Sequence, residues 1–212
     1  VDILQTDENG NVIDGNIYTS MKVTGETNTN YPFTIYNEGI LCIDSGAELI
    51  LGSDLYNKGK IFNNGTITND SIDAINSITN YSGATIINDH EIRNIDGVIY
   101  NNGTIINENM IDNYNNSTIT NSSGATITNN YSLTNKGTIN NSSGATINNS
   151  SGATINNNNY MQSTKDGIIN NNGLILNKNK HSRLYICGNY YGNGKIQNYG
   201  DVCSINQEQI KP

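Results

Sequence analysis

The sequence contains no tryptophan, two phenylalanines and two prolines among its 212 residues. Charged residues make up 14% of the chain, and 11 Lys and Arg stand against 19 Asp and Glu, which gives a net charge of −8. Nucleic-acid binding needs clustered Lys and Arg, and here they are few and scattered. No apolar run approaches the roughly 20 residues of a membrane-spanning helix. We therefore expect no nucleic-acid partner and no membrane span.

Two residue types dominate what is present: the chain has 42 Asn and 32 Ile. Only 34% of the residues are hydrophobic, a value that is typical of disordered segments. Disordered segments, however, are poor in β-branched residues, whereas here the isoleucines are frequent and evenly spaced. The composition therefore favours a regular core built mainly from one residue type over a flexible Asn/Ser linker.

A short repeat with one inward-facing apolar residue per unit runs through most of the chain. The short unit is NNGTII at residues 101–106, and the long unit is NSSGATIN at residues 141–148. The apolar residue of each unit recurs mostly after six or eight positions. The series comprises Leu55, Ile61, Ile67, Ile72, Ile78, Ile86, Ile92, Ile99, Ile105, Ile111, Ile119, Ile127, Leu133, Ile139, Ile147 and Ile155, and continues with Ile169, Ile175 and Ile196.

The repeat predicts short strands and not helices, because Asn-Gly and Ser-Gly pairs would break a helix in every unit. Each unit indicates a strand, Thr-Ile-x, closed by a turn in which Gly supplies a positive φ. Strand alternation directs Ala145, Ile147 and Asn149 to one side and Thr146 and Asn148 to the other. Strands this short are stable only when they stack on neighbours. We predict an all-β fold, a β-solenoid (parallel β-helix or stacked β-arches) of 6- and 8-residue strand-turn units.

In such a stack, like residues lie over like residues. We expect a core column of isoleucines and a ladder of inward asparagines whose amides bond along the stack, as in cross-β structures. The predicted core stack comprises Ile67, Ile105, Ile119, Ile127, Ile139, Ile147 and Ile155. The predicted ladder comprises Asn121, Asn129, Asn141, Asn149 and Asn157.

The number of sides per coil stays open at this stage. Spacings of six, six and eight residues between Ile99 and Ile119 favour three sides and about 20 residues per coil. Two spacings of eight between Ile139 and Ile155 favour a flattened, two-sided coil. Either arrangement gives roughly 8 to 12 coils, or a rod on the order of 40–60 Å at ~4.8 Å per coil.

The chain is divided by its pattern into three parts. Residues 1–34 are expected to form an N-terminal β-rich segment or cap with a hairpin-like turn at Asn9-Gly10, residues 35–200 the solenoid body, and residues 201–212 a tail. No capping helix is indicated, so open strand edges would invite stacking with another molecule, although a loop-like cap built by residues 1–34 would block it.

Residues predicted to face outward suggest two further kinds of surface, an apolar association surface and an ice-binding surface. Phe62, Ile87, Tyr100, Ile106 and Leu176 follow inward residues and should face out, but without a period that aligns them into one stripe. Thr-Ile-Thr triplets at 66–68, 118–120 and 126–128 raise ice binding as an alternative, which would need a regular array of threonines.

No catalytic, cofactor or metal site is indicated. His90 and His181 are isolated, the carboxylates are dispersed, and no C-x-x-C pair occurs. Sequons such as Asn64 and Asn102 permit glycosylation of a secreted chain. We therefore predict a protein that is not an enzyme and that has no cofactor, with glycans as optional additions.

The three cysteines are Cys42, Cys187 and Cys203. In a secreted chain an odd count favours an intermolecular bridge or a free thiol. One interpretation is that disulfides through Cys42, Cys187 or Cys203 join neighbouring subunits, with an internal Cys187–Cys203 pair as a possible addition. The other is that the thiols are reduced and buried. The start at Val1 is typical of a removed signal segment, which points to an extracellular or cell-envelope location.

The motifs N-N-G-T-I-x-N and N-S-S-G-A-T-I-x-N, with SGAELIL at 45–51, resemble β-helix segments of microbial surface adhesins. Residues 35–200 are also similar to adhesin-like and sheath-type envelope proteins of methanogenic archaea. The sheath resemblance implies β-arch subunits that assemble side by side into rings or tubes, with disulfides joining neighbours.

These observations lead to one expected function and one alternative. We expect a secreted structural subunit that assembles with itself into a homopolymer, such as a sheath, surface layer or filament, through β-edge stacking and disulfides. The alternative is a surface adhesin or carbohydrate-binding β-helix rod.

Overall fold

The computed structural model describes residues 2–70 and 75–204, and within these ranges every regular element is a β-strand. The first ten strands are β1 (Asp2–Ile3), β2 (Asn16–Ile17), β3 (Ser20–Val23), β4 (Glu26–Thr29), β5 (Phe33–Ile35), β6 (Ile40–Ile43), β7 (Glu48–Leu51), β8 (Leu55–Asn57), β9 (Lys60–Asn63) and β10 (Thr66–Asp70). The next ten are β11 (Ser77–Asn80), β12 (Thr85–Asn88), β13 (Glu91–Ile95), β14 (Val98–Asn101), β15 (Thr104–Asn107), β16 (Met110–Asn113), β17 (Thr118–Asn121), β18 (Thr126–Asn129), β19 (Ser132–Asn135) and β20 (Thr138–Asn141). The last nine are β21 (Thr146–Asn149), β22 (Thr154–Asn157), β23 (Tyr160–Ser163), β24 (Ile168–Asn171), β25 (Leu174–Asn177), β26 (Arg183–Ile186), β27 (Asn189–Tyr191), β28 (Lys195–Asn198) and β29 (Asp201–Ser204).

The strands form three parallel sheets, which we call A, C and D. From β2 to β26 each strand pairs with the strand three places later in the chain, while β1 pairs with β3. Sheet A has the order β1-β3-β6-β9-β12-β15-β18-β21-β24-β27, and sheet C has the order β4-β7-β10-β13-β16-β19-β22-β25-β28. Sheet D has the order β2-β5-β8-β11-β14-β17-β20-β23-β26-β29. The chain is therefore an all-β, three-sided solenoid of about nine turns, which confirms the predicted fold class. At ~4.8 Å per turn its length is roughly 43 Å.

The three-sided geometry settles the number of sides. Ile139, Ile147 and Ile155 lie on β20, β21 and β22, which belong to three successive sheets. The eight-residue spacing therefore reflects a longer turn between sides and not a flattened coil. The reading of a two-sided coil was wrong because spacing alone does not separate strand residues from turn residues.

The long turns explain the Ser-Gly-Ala motif. Segments 44–47, 81–84, 122–125, 142–145 and 150–153 each close a hydrogen bond from the fourth N–H to the first carbonyl. The third residue of each has a positive φ, as at Gly124 (78°) and Gly144 (72°). This is the position where a type II turn needs Gly. The fourth residue is a small, buried alanine that begins the inward row of the next strand, as at Ala145.

The short turns use glycine for a different reason from the one expected. Gly103 has no positive φ, but a Cβ there would lie 2.4 Å from the carbonyl oxygens of Tyr81 and Ala84 on the preceding coil. Gly173 is equivalent, with a Cβ position 2.2 Å from the carbonyl oxygen of Ala153. Glycine is therefore required at Gly103 and Gly173 because the backbones of neighbouring coils approach closely there, and not because of its φ, whereas two-residue turns such as Asn130-Tyr131 contain no glycine.

The sheets cross the expected domain boundaries. Strands β1 to β4 within residues 1–34 pair in the same three sheets as the body, and β29 in the segment 201–212 pairs with β26. An antiparallel bridge between Thr6 and Val12 encloses the turn at Asn9-Gly10, where Gly10 has a φ of 79°. The division into cap, body and tail stays a prediction. Ile72 of the apolar series and residues 205–212 of the tail lie outside the described residues.

Candidate functional site

The inward apolar residues form a continuous buried column on each sheet. Ile105, Ile127 and Ile147 follow one another on sheet A, and each is at most 2% exposed. Ile119 and Ile139 are paired on sheet D, while Ile67 and Ile155 lie farther apart on sheet C. All seven residues of the predicted stack are buried, but they are divided among three columns that pack against each other in one core.

The inward asparagines form a ladder at each of the three corners. Asn101 shows the geometry: its Nδ2 donates to Oδ1 of Asn121 on the next coil (2.8 Å) and to the carbonyl oxygen of Thr126 (3.0 Å). Its own Oδ1 accepts from Nδ2 of Asn80 (2.8 Å). Each amide is thus bonded to the coil before and after it, which satisfies a polar group that would otherwise be costly to bury.

The three ladders together contain the five predicted asparagines and many others. Asn121 and Asn141 belong to the sheet D ladder, Asn129 and Asn149 to that of sheet A, and Asn157 to that of sheet C. In chain order the sheet D ladder comprises Asn57, Asn80, Asn101, Asn121 and Asn141. The sheet A ladder comprises Asn63, Asn88, Asn107, Asn129, Asn149 and Asn171. The sheet C ladder comprises Asn69, Asn94, Asn113, Asn135, Asn157, Asn177 and Asn198.

The ladders have a direction, since every Nδ2 donates toward the C-terminal coil. At their C-terminal ends the last donor finds a substitute: Asn141 bonds Oγ of Ser163, and Asn171 bonds the phenol oxygen of Tyr190. At the N-terminal ends of the sheet A and sheet C ladders, the first acceptor has no donor. The preceding coil carries Ile43 and Leu51 at the ladder position, and neither side chain can donate a hydrogen bond. Asn63 Oδ1 and Asn69 Oδ1 are therefore buried without a hydrogen-bond partner.

The core formed by the described residues contains a small void. A void lined by Ile and Leu side chains of the core, among them Ile67, Ile105 and Leu133, has a volume of about 10 Å³. That is at most the space of one water molecule, and the lining is apolar. Among the described residues no cluster of His, Cys, Asp and Glu is arranged to hold a metal ion. Within the same ranges no helix has the length and apolarity needed to cross a membrane.

The outer face of sheet A carries an apolar stripe, which we define as Cys42, Phe62, Ile87 and Ile106. These four occupy the same position on consecutive strands β6, β9, β12 and β15 and are partly buried by one another. The expectation that outward apolar residues show no alignment was wrong for this face. Phe62 and Ile87 are 25 residues apart and Ile87 and Ile106 are 19 apart, because the turns differ in length, and this unevenness hid the stripe.

The predicted outward residues Tyr100 and Leu176 have no apolar neighbour in register. The Thr-Ile-Thr triplets are dispersed, although Thr85, Thr104, Thr126 and Thr146 are stacked in register on sheet A. Tyr100 on sheet D pairs in register with Thr79 and Thr120, and Leu176 on sheet C pairs with Asn156 and Gln197. The Thr-Ile-Thr triplets lie on β10, β17 and β18, which are one strand of each sheet. They therefore do not share a face, and the threonine array that ice binding by these triplets needs is not formed.

Sheet C presents an ion-pair cluster, which sequence reasoning missed. Arg93 bonds Oε2 of the nearly buried Glu91 (2.6 Å) and lies 3.7 Å from Oε1 of Glu48, which also accepts from Thr68 Oγ1 (2.6 Å). The hydrogen bond to Glu91 raises the pKa of the Arg93 guanidinium further. The carboxylates come from strands 43 positions apart in sequence, so only the coil register reveals their proximity. Arg93 contacts both carboxylates, and its single positive charge balances one of their two negative charges.

A column of aromatic and basic side chains lies at the corner between sheets D and A. Tyr18 and Tyr36 stack with ring centroids 4.3 Å apart, and Lys58 Nζ lies 5.5 Å from the Tyr36 ring and 5.4 Å from the Tyr81 ring. These residues follow the inward positions Ile17, Ile35, Asn57 and Asn80, which are stacked on consecutive coils of sheet D. The rings therefore make π-stacking and cation–π contacts within the chain, while Tyr18 and Tyr81 stay exposed to solvent.

All three cysteines are free. Cys203 is exposed on β29 opposite Tyr185, and Cys187 follows β26, so the two lie on neighbouring strands but two positions out of register. The internal Cys187–Cys203 bridge is not formed. Cys42 is partly buried within the apolar stripe, and burial, followed by the nearby charge of Asp44, raises the pKa of its thiol. A thiol that stays protonated is a poor nucleophile for disulfide exchange.

The fold and its internal amides define a class: a three-sided parallel β-solenoid with an asparagine ladder at each corner and a dry apolar core. No family model, no curated protein and no solved structure matches the chain. Its function is therefore inferred from the geometry of its core and surface.

Proposed function

We propose that this chain is a structural subunit that associates with itself into an extracellular polymer, such as a sheath, surface layer or filament. The observation that carries the proposal is the uninterrupted core: three apolar columns and three amide ladders tie each coil to the next along most of the solenoid. Such bonding makes a stiff rod with no internal ligand site, and stiffness is the property that a wall-forming subunit needs.

Surface features support self-association over binding of a small molecule. The apolar stripe lies on a face whose outward residues from β12 to β24 are uncharged, on a chain with a net charge of −8. The stripe residues are half-buried, and a contiguous apolar patch that the chain leaves partly uncovered is a candidate association surface. The free thiols of Cys187 and Cys203 are available for bonds to neighbouring subunits, and edge stacking of terminal coils remains a further expected contact.

The cell-envelope location rests on the resemblance of the repeats to sheath and adhesin segments. It is consistent with a protein that is expected to lack catalytic groups, cofactors and nucleic-acid partners. The exposed sequon asparagines Asn64 and Asn116 would accept glycans, whereas ladder asparagines such as Asn121 are 0% exposed and would not.

Electron microscopy and sedimentation of the purified chain, with and without reductant, test the proposal. We expect sheets, tubes or filaments that grow with protein concentration and that are shortened or loosened by reductant. Discrete monomers under both conditions, at every concentration examined, would show that the chain is not a polymer subunit.

A carbohydrate-binding rod is the second candidate, and one observation favours it. A groove of about 490 Å³ opens on sheet C near its C-terminal end, lined by Thr154, Asn172, Leu174, Lys195 and Gln197 among others. Its size and mixed polarity suit an oligosaccharide. Binding of soluble polysaccharides by the monomer, lost in a Lys195→Ala and Gln197→Ala variant, would favour this function over assembly.

A further inference from the structure

Two columns of outward side chains cover the outer face of sheet A, and a molecule that docks on this face must match both columns. The apolar stripe Cys42, Phe62, Ile87 and Ile106 forms one column. The second, which we call the companion column, comprises Ile40, Lys60, Thr85 and Thr104 on the same four strands. No carboxylate belongs to either column, whereas the equivalent columns of sheet C contain Glu26, Glu48, Glu91 and Asp112.

We propose that a second copy of this chain docks on sheet A, with the two solenoids side by side about a two-fold axis parallel to their length. This inference rests on the proposed function and names one of its interfaces. A two-fold contact closes after two copies, so growth into a polymer also needs the strand edges of the terminal coils or the free thiols. A two-fold axis of this kind places each strand opposite the same strand of the other copy, running in the opposite direction. The apolar stripe of one copy then lies over the companion column of the other.

The resulting matches are complementary at each level of the stack. Cys42 meets the partner's Ile40, and Phe62 meets the partner's Lys60, a pairing that allows a cation–π contact. Ile87 meets the partner's Thr85, and Ile106 meets the partner's Thr104, so that threonine methyl groups cover isoleucine. Lys22 lies opposite the partner's Ser20 and is already bonded to Asp44 (3.4 Å).

The match between the two columns favours a second copy of this chain as the occupant. Charge disfavours the outer face of sheet C, and the apolar stripe distinguishes sheet A from sheet D, whose outward residues from β11 to β23 are also uncharged. Two molecules that each carry a net charge of −8 repel, and the repulsion is smallest where no carboxylate faces another. The face measures roughly 43 Å by 13 Å, or about 550 Å² per copy, from ~4.8 Å between strands and ~3.3 Å per residue. This is at the low end for a specific interface, so association is expected at high micromolar concentration.

The test compares two double variants at the same coils of the solenoid. Ile87→Lys with Ile106→Lys places four ammonium groups between the paired faces, while Thr79→Lys with Tyr100→Lys places the same charges on sheet D of the same coils. We expect the sheet A variant to associate at least tenfold more weakly than wild type in sedimentation, and the sheet D variant to associate like wild type. Circular dichroism should be unchanged in both, because all four side chains face outward.

A cross-linking measurement keeps the test informative if a variant folds poorly. In a Cys187→Ser, Cys203→Ser chain, sheets ~10 Å apart place the two Cys42 residues about 11–12 Å apart across the axis, too far for a direct disulfide. At alkaline pH, where thiolate forms despite the raised pKa of Cys42, a bis-maleimide of matching reach should join them in concentrated samples and not in dilute ones.

The outcomes separate the interface from the function. Polymers that form equally well in both lysine variants, without Cys42 cross-linking, would overturn the sheet A interface and leave the proposed function standing. A wild-type chain that stays monomeric would overturn both.

Discussion

Asn121 donates from its side-chain Nδ2 to the side-chain Oδ1 of Asn141, 2.9 Å away on the next coil of sheet D. Asn141 in turn donates to Ser163 Oγ and to the carbonyl oxygen of Ile168. Each rung is 0% exposed, so the amide of one coil depends on the side chain of the next. The ladders therefore couple neighbouring coils through polar contacts that water cannot replace.

Replacing one rung should destabilise the solenoid strongly. We predict that Asn141→Ala lowers the free energy of unfolding by about 2–4 kcal/mol, because Asn121 loses its acceptor and a buried space is left. The adjacent Asn140 faces outward, and Asn140→Ala should change stability by less than about 0.5 kcal/mol. Urea unfolding followed by circular dichroism checks both. Equal effects of the two substitutions would show that the ladder contributes nothing beyond strand propensity.

A substitution at the N-terminal end of the sheet C ladder should supply a missing hydrogen bond. Leu51 lies in register between Thr29 and Asn69, and both Thr29 Oγ1 and Asn69 Oδ1 are buried without a partner. Asparagine at position 51 would accept from Thr29 and donate to Asn69. Ile43 is the matched control. It lies in register between Val23 on the preceding coil and Asn63 on the following coil, and Val23 offers no polar group.

We therefore predict that Leu51→Asn is less destabilising than Ile43→Asn by about 1–3 kcal/mol, the cost of leaving one buried polar group unsatisfied. The two substitutions remove buried apolar side chains of similar size. The difference between their free energies of unfolding therefore reports the additional hydrogen bond with Thr29. Thermal and urea unfolding of the two variants provide the comparison. A larger loss for Leu51→Asn would indicate that packing at this corner outweighs ladder completion.

Much of the core could be predicted from the sequence because one apolar residue per unit marks the inward row directly. Ala145, Ile147 and Asn149 are buried and Thr146 and Asn148 are not, as alternation predicted. The number of sides could not be predicted, since Ser150–Ala153 and the shorter turn at Asn172–Gly173 connect the same two sheets with different numbers of residues.

Surface relationships were harder to predict for the same reason. The ion pair of Glu48 with Arg93 and the alignment of Phe62 with Ile87 depend on which coil each residue joins, and coil lengths vary. Most turns add two or four residues, and the turns between β25 and β26 and between β27 and β28 add five and three, so the outward columns have no fixed sequence period. Once the three sides are known, counting strands in threes recovers both relationships.

The turn chemistry gives a third prediction. Asp166 occupies the third position of the turn at 164–167 with a φ of 64°, where most equivalent turns have glycine. Asp166→Gly should stabilise the chain by about 0.5–1 kcal/mol, since glycine adopts this conformation without strain. Gly152 has a φ of 82° and open space around its Cβ position, so Gly152→Ala should cost about 1–2 kcal/mol from strain alone. Melting temperatures that move in the same direction for both would contradict this account.

Asp112 on β16 gives the last prediction, a dependence of stability on pH. Burial raises the pKa of its carboxyl, while Lys136 and a hydrogen bond with Thr134 oppose that effect in part. With a raised pKa the folded chain holds this proton more tightly than the unfolded chain. The stability that the protonated form contributes is therefore present below the unfolded pKa of about 3.9 and is lost as the pH rises through the folded pKa.

Asp112→Asn removes this titration and keeps the shape of the side chain. We predict that the variant is more stable than wild type near pH 7, where Asp112 is ionised at a desolvated position, and that the difference shrinks toward zero below about pH 3.9. The exposed Asp89 is the matched control, and Asp89→Asn should change stability by less than about 0.5 kcal/mol at either pH. The urea unfolding midpoints of wild type and the two variants, measured near pH 7 and below about pH 3.9, test this prediction. A variant that is less stable than wild type at neutral pH would mean that attraction to Lys136 outweighs burial, and that the charge of Asp112 stabilises sheet C.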